Sequence, residues 1–283
     1  MQPSDFAGIY QGSLRWKSFG GHQYLNHRIS NTTLVEPSLG RRSPATEQKM
    51  IVFQQGKAAA AARYSRALAE ATRFAKVVRA LGFDGAPSPA ARLLRPFDRK
   101  AMLGDLLLVV GTIAMSAYVV EAGMRIFEGF DATQDFDLTW RGIDSLQMQS
   151  THPISLMGTL REVDPIYTKN TERGFRAVSG KYVVEMLAAP STLASFPKDE
   201  SVPIPGLVEQ EWLFMGNPVR HVVSVAEGTP APIVAPNPRW IALHKLWLSR
   251  KPQRQSAKKS KDQVQGHTAF ARRDRIYAEL SDR

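Results

Sequence analysis

The stretch from Leu103 to Val120 is the most apolar in the chain, and it is broken by Asp105, Gly111, Thr112 and Ser116. Those breaks disfavour a membrane span, so the stretch must be buried in pieces inside the protein. Asp105-Leu-Leu-Leu-Val-Val110 has the length and branched-residue content of a buried strand. Gly111-Thr112 then supplies a turn, and Ile113 to Ala122 has helical character. Further on, Gln134-Asp-Phe-Asp-Leu-Thr-Trp140 alternates polar and apolar residues, as a half-buried strand should. Lys181-Tyr-Val-Val-Glu-Met-Leu187 reads as another strand. Strand, Gly-Thr turn, helix and two more strands leave few options beyond a sheet with helices packed on it.

With 283 residues the chain has room for a sizeable core. Its 43% hydrophobic and 22% charged residues exclude wholesale disorder, collagen-like and coiled-coil readings. Cys is absent, which excludes disulfides, Cys-ligated zinc and thiol catalysis. The start, MQPSDFAGIYQGSLRW, has no apolar h-region. With no membrane span either, a cytoplasmic location is expected.

The remaining segments are read as follows. Residues 1–43 show no clear period and are expected to be irregular or to hold short packed elements. A helix is expected from Pro44 to about Gly82, with Ser43 as cap, Pro44 at its first position and Glu47 in its first turn. A second helix covers Ala90 to about Met102, and Met124-Arg-Ile-Phe127 is a candidate strand. Residues 150–170 are expected to give a helix and a turn. Arg220–Val225 and Pro232–Ala235 form a hairpin, then helices run over Arg239–Arg250 and Lys261–Leu280. The expected organisation is an irregular segment 1–43, a helical region 44–99, a core 100–195, and a C-terminal hairpin and helical region 196–283.

The net charge of +11 is concentrated at the C-terminal end. Arg239 to Arg283 holds 12 Lys/Arg against 4 Asp/Glu, and Ser249 to Lys261 carries six cations with no anion. Such a run suits phosphates, so a polyanion such as RNA or tRNA is an expected partner. The alternative is a solvated loop. With no aromatic residue in the run, base stacking is not expected there. As a loop distant in sequence from the Gly-Thr turn, it is expected to leave any nucleotide site untouched.

Three pieces carry chemistry in order: Gly111-Thr112, then Asp135-Phe136-Asp137, then Glu185. A Gly-Thr turn at a helix start lets backbone N–H groups and a hydroxyl approach a triphosphate. Asp at i and i+2 on a strand share one face and can hold divalent cations. A third carboxylate on a neighbouring strand completes such a site and can assist deprotonation of an attacking hydroxyl. Each motif alone is common. Their order raises the odds that they act together, and each has a role if the chemistry is nucleotidyl transfer from a nucleoside triphosphate, with Mg²⁺ or Mn²⁺ as the expected cofactor.

Val110-Gly-Thr-Ile-Ala-Met-Ser-Ala-Tyr118, with Arg125 and Ala132-Thr-Gln-Asp-Phe-Asp-Leu138, resembles the core of a polymerase-β-like nucleotidyltransferase. Ser38-Leu-Gly-Arg-Arg-Ser-Pro-Ala-Thr-Glu47 is similar to the N-terminal stretch of one bacterial group of such proteins. Pro236-Asn-Pro-Arg-Trp-Ile-Ala-Leu-His-Lys-Leu246, with Lys261-Asp262, is similar to that group's C-terminal signature. The resemblance implies an α/β (α+β) fold, with a mixed sheet flanked by helices and helical terminal regions. It implies Asp135, Asp137 and Glu185 as catalytic metal ligands. Where the family has Asp as its third acid this chain has Glu185, and Asp164 is the weaker alternative. Gly111, Thr112, Arg125, Lys245 and Lys261 become candidates for binding the nucleotide. For Arg125 the alternative is a pair with Asp135; for His244-Lys245 it is a packed His and a solvated Lys. Arg41 and Arg42 are flagged by the resemblance alone.

The activity implied is transfer of NMP from an NTP to a hydroxyl of RNA, of a protein or of a small molecule. Two alternatives stand beside it. One is a non-catalytic nucleic-acid- or partner-binding protein that keeps the fold. The other is a toxin restrained by an antitoxin partner, since toxins of nucleotidyltransferase toxin–antitoxin pairs share the core signature.

Overall fold

A computed structural model describes residues 10, 12–28, 36–82, 85–123, 134–142, 155–170, 175–196, 206–225 and 227–281. The expected strand at Met124–Phe127, together with Arg125, Ala132 and Thr133, lies outside the described residues. The chain divides into two compact units, Met1–Ala71 and Thr72–Arg283.

The first unit contains an antiparallel sheet of β1 (Ser13–Phe19), β2 (His22–Arg28) and β3 (Ser38–Arg41). The stretch read as irregular or as short packed elements thus holds three strands. Gly20 and Gly21 turn β1 into β2, both at positive φ. The helix α1 (Pro44–Ala80) follows and runs past the boundary between the units. At its start Ser43 and Thr46 cap reciprocally: Ser43 N donates to Thr46 Oγ1 at 2.8 Å, and Thr46 N donates to Ser43 Oγ at 3.3 Å.

The second unit is built on a five-stranded mixed sheet in the order β4-β5-β8-β7-β6. Its strands are β4 (Leu107–Val109), β5 (Asp135–Trp140), β6 (Thr168–Asn170), β7 (Phe175–Ser179) and β8 (Tyr182–Ala188). β4 and β5 pair antiparallel, β5 and β8 pair parallel, and the rest of the sheet is antiparallel. The apolar pieces of Leu103–Val120 therefore become a buried strand and the helix α3 (Met115–Ala122). The helix α2 (Ser88–Arg99) puts Ala90, Leu93, Leu94 and Phe97 into the core at helical spacing. Phe97 stacks on Phe136, with ring centroids 6.5 Å apart. Such a pair adds about 1 kcal/mol beyond its buried area. It also fixes which way β5 faces, because Phe136 lies between the two aspartates and points to the opposite side. The helix α4 (Leu156–Val163) packs on α2.

The C-terminal part adds the hairpin β9 (Val219–Ser224) and β10 (Pro230–Ala235), then α5 (Pro238–Arg250) and α6 (Ser256–Ser281). Asn237 caps α5, with its Oδ1 accepting from Arg239 N at 3.0 Å, and Pro238 opens the first turn. α5 and α6 pack tightly together at Gly266. A Cβ there would lie 2.7 Å from Leu246 Cγ and 3.1 Å from Ala242 O. Tyr118 on α3 donates its buried hydroxyl to Pro236 O at 2.9 Å, which locks this part onto the sheet unit. Among the described residues no helix is long and apolar enough to cross a membrane.

The basic run is a loop only over residues 251–255, with Lys251 and Arg254 in it. The helix α6 begins at Ser256, so Lys258, Lys259 and Lys261 stand on a helix. Ser256-Ala-Lys-Lys-Ser-Lys-Asp262 opens the helix without an acidic residue in its first turn, and Asp262, held by Lys245 and Arg254, anchors it.

Candidate functional site

The site forms where β4 ends beside β5. Val110 N donates to Asp137 O at 2.9 Å, so the next residue, Gly111, is held directly against Asp137. Gly111 has φ +69°, and a Cβ built on it would lie 2.9 Å from Asp137 Cγ and 3.0 Å from Asp137 Cβ. Both the left-handed backbone and the close approach require glycine here. From Gly111 the chain turns through Thr112 into α3, whose first turns are closed by Met115 N to Thr112 O and Ser116 N to Ile113 O, each at 3.1 Å.

Asp135 and Asp137 share the outer face of β5, while Phe136 and Leu138 point into the core. Glu185 on β8 stands directly across from Asp137 in the parallel pairing, and Val183 stands across from Asp135. Burial away from water, with the charges of Glu185 and Asp135, pushes the Asp137 carboxyl up to about 6, against the pull of Lys245 and Lys258. Like charges this close resist joint ionisation, which is the situation a bound cation relieves. Asp135 and Asp137 thus form a pair of hard oxygen donors on one face, a donor set that fits Mg²⁺ or Mn²⁺.

Glu185 is committed elsewhere in part. Arg176, opposite it on β7, bonds Glu185 Oε1 with both Nε (2.6 Å) and the adjacent guanidinium nitrogen. Among the described residues no group of three His, Cys, Asp or Glu side chains is disposed to hold a metal ion. Asp164 is occupied at the end of α4, accepting from Ser179 Oγ at 2.6 Å and Ile166 N at 3.1 Å. Those two bonds hold its carboxyl below the usual range.

α6 brings Lys258 and Lys261 within electrostatic range of the carboxylates. Burial and the Lys245 charge push the Lys261 ammonium down, while Asp135, Asp137 and Asp262 pull it back up. The expectation that the basic run stays apart from the Asp-x-Asp strand is therefore corrected: Lys258 and Lys261 both act electrostatically on the carboxylates. Four residues further on, Gln265 Nε2 lies 3.3 Å from Thr112 Oγ1.

A nucleotidyltransferase family model matches residues 88–275. The chain belongs to this nucleotidyltransferase family. It is a transferase of nucleotidyl groups, and every described residue of the site just built lies inside the matched span. No curated protein and no solved structure matches the chain.

In this nucleotidyltransferase, Gly111, Thr112, Asp135, Asp137, Glu185 and Lys261 come together at one end of the sheet. Arg125 lies outside the described residues. Lys245 is not presented to an open cleft: it is buried against Asp262, with Nζ 2.8 Å from Oδ1, and Arg254 Nε takes Oδ2 at 2.8 Å. Its charge is still felt at Asp137. His244 is packed, as the plainer sequence reading has it, with Nε2 3.4 Å from Gln210 Nε2 and its ring against Trp247. Arg42 is tied to Glu47 at 2.7 Å and Gln23 at 2.6 Å within the first unit. Arg176 and Gln265 were not singled out by the sequence. Neither has a local motif, and only the strand register and the helix packing bring them to the site.

Burial and the neighbouring Lys245 charge push the His244 imidazole from 6.5 down to about 4. The unfolded chain therefore takes up a proton before the folded one does, so this stability is complete above pH 6.5 and lost as pH falls toward 4. Between pH 7.5 and 4.5 the loss should be about 2–3 kcal/mol. Urea unfolding of the wild type and His244→Gln at both pH values checks this. The variant should lose less stability by that amount, and equal losses would show that His244 does not titrate on unfolding.

Proposed function

We propose that this nucleotidyltransferase binds an NTP between the Gly111-Thr112 turn and the Lys258–Lys261 edge of α6, with Mg²⁺ or Mn²⁺ on Asp135 and Asp137, and moves NMP to a hydroxyl acceptor. The observation that carries the reading is the Asp137 carboxylate packed against Gly111 at the start of α3. One contact joins a cation-binding group to an anion-accepting turn.

The metal, when bound, offsets charge on the phosphates and on the leaving pyrophosphate. The protein's own residues do the rest. Gly111 gives phosphate oxygens access to backbone N–H groups, and Thr112 offers a hydroxyl donor. Lys261, already partly desolvated, faces the carboxylates with a charge that a triphosphate also requires. Glu185 keeps Oε2 without a hydrogen bond among the described residues, while Arg176 holds Oε1. That arrangement suits a carboxylate that assists at the metal or at the acceptor hydroxyl.

The basic run lends less support to RNA or tRNA as acceptor than its composition implies. Lys251 is bonded to Glu209 at 2.6 Å and lies 3.8 Å from the Trp247 ring centroid. Arg254 is bonded to Asp262, and Lys261 serves the carboxylates.

Label transfer from an α-labelled NTP with Mg²⁺, together with calorimetry using a non-hydrolysable NTP, tests the reading. Lys261→Ala should weaken NTP binding by about 10–100-fold, as expected for losing a bond to a charged group. Lys259→Ala, a neighbouring cation not among the main charges acting on Asp137, should change it less than threefold. Equal effects of the two substitutions would count against a phosphate role for this edge of α6.

A further inference from the structure

Gln265 is fully buried, yet its amide is only half satisfied. Its Nε2 lies 3.3 Å from Thr112 Oγ1, and its Oε1 has no hydrogen-bond partner among the described residues. A buried amide oxygen without a partner is costly and uncommon. Leu or Met would fill the same space without that cost, so the retained amide calls for a purpose at its other end, the Thr112 hydroxyl.

The placement of Gln265 is firm. Gly266 beside it lets α6 press against α5, leaving Ala242 O and Leu246 close by. One turn earlier, Asp262 is anchored by both Lys245 and Arg254. Lys261 and Gln265 stand at i and i+4, on one face of α6. The helix therefore delivers a cation toward the carboxylates and an amide to the Gly-Thr turn.

The direction of the hydrogen bond decides what Thr112 can do. A hydroxyl has one proton to give and two lone pairs to receive with. If the Gln265 amide nitrogen donates to Thr112 Oγ1, the Thr112 proton is turned away from Gln265 and is available to an anion. If the amide oxygen faced Thr112 instead, that proton would be consumed. Among the described residues Gln265 is the hydrogen-bond partner of the Thr112 hydroxyl, so it sets the outcome.

We propose that Gln265 is a positioning residue of the nucleotide site, whose amide N–H holds Thr112 Oγ1 as acceptor so that the Thr112 hydroxyl presents its proton to a phosphate oxygen of the bound NTP. The inference rests on the reading of Gly111-Thr112 as the triphosphate turn. Gln265 itself touches no substrate.

The test is a double-mutant cycle on the full chain. Affinity for a non-hydrolysable NTP with Mg²⁺ is measured by calorimetry, and Tm is recorded, for the wild type, Gln265→Met, Gln265→Leu, Thr112→Val, Thr112→Ser and Thr112→Val/Gln265→Met. Gln265→Met should weaken binding about five- to tenfold, with Tm unchanged or raised because the unsatisfied oxygen is gone. Gln265→Leu is the second apolar variant should Met pack poorly. Thr112→Val should weaken binding at least as much, and the double variant no further than Thr112→Val alone, because the amide has no hydroxyl left to orient. Thr112→Ser, which keeps the hydroxyl, should bind within threefold of the wild type. Wild-type affinity in Gln265→Met, or losses that multiply in the double variant, would overturn the inference while leaving the nucleotide site standing. A wild type that binds no NTP overturns both.

Discussion

Asp137→Asn is expected to abolish transfer and yet leave the metal-free protein at least as stable as the wild type. In the proposed metal role the Asp137 carboxylate would contribute several kcal/mol to the transition state, so the loss of activity should reach about 10³-fold or more. The gain in stability follows from the same geometry. Burial away from water, with Glu185 and Asp135 close by, raises the Asp137 carboxyl to about 6, against 3.8 for an ordinary aspartate. The folded chain thus binds a proton that the unfolded chain has already released between pH 4 and 6. Stability is lost as pH rises through that window and stays lost above it. The ionised carboxylate costs up to about 3 kcal/mol at pH 8, and Asn removes that cost. Unfolding at pH 8 should favour the variant, and its advantage should shrink toward pH 4. Added Mg²⁺ with NTP should reverse the order by stabilising only the wild type. If Asp137→Asn destabilises the metal-free protein and transfers label within tenfold of the wild type, Asp137 is a structural residue and the site lies elsewhere.

The outward face of β5 was legible in the sequence from its alternation alone. Phe136 and Leu138 are buried, and the aspartates between them break the apolar pattern at intervals of two, so the alternation gave both the strand and its outward face. Gly111 at the end of an apolar run was a weak signal by itself, given weight only by its order before the Asp-x-Asp strand. The structure adds the reason, a φ of +69° and the Asp137 carboxylate against it. Other parts lacked such signals. β1 and β2 read SLRWKSF and HQYLNHR, in which Leu25 is the one fully buried side chain and the half-buried Leu14 and Trp16 give only two alternating apolar positions, too few to mark a strand. The start of α6 looked like a loop because nothing local marks it, whereas Asp262, which anchors it, is held by Lys245 of α5 and by Arg254 of the connecting loop. Glu185 could be named as a candidate, but its register opposite Asp137 and its grip by Arg176 depend on how β5, β8 and β7 pair. Gln265 is 153 positions from Thr112, and no local pattern joins them.

Lys245 and Asp262 give the second large effect, and it concerns stability. Their side chains are 8% and 3% exposed, and Arg254 shares the same carboxylate. Removing one partner of a buried ion pair leaves the other charged without compensation, which costs about 3–5 kcal/mol. Asp262→Ala strands two cations at once, so its cost should lie at the upper end of that range. The damage should centre on the contact between α5 and α6. Because Lys261 and Gln265 stand on the same turns of α6, NTP affinity should fall together with stability. Lys245→Met leaves Asp262 with Arg254 still bonded, so it should be the milder change. The double variant Lys245→Met/Asp262→Leu should recover much of the lost stability, since an apolar pair of similar volume carries no desolvation cost. Were Lys245 instead a direct phosphate ligand, Lys245→Met would weaken NTP binding strongly with little change in Tm, and the double variant would bind no better than Lys245→Met alone. Measuring Tm and NTP affinity on the four proteins separates the two roles. A buried anchor predicts that affinity follows stability across the set, because what the pair supplies to the nucleotide site is a fixed position for the helix that carries Lys261.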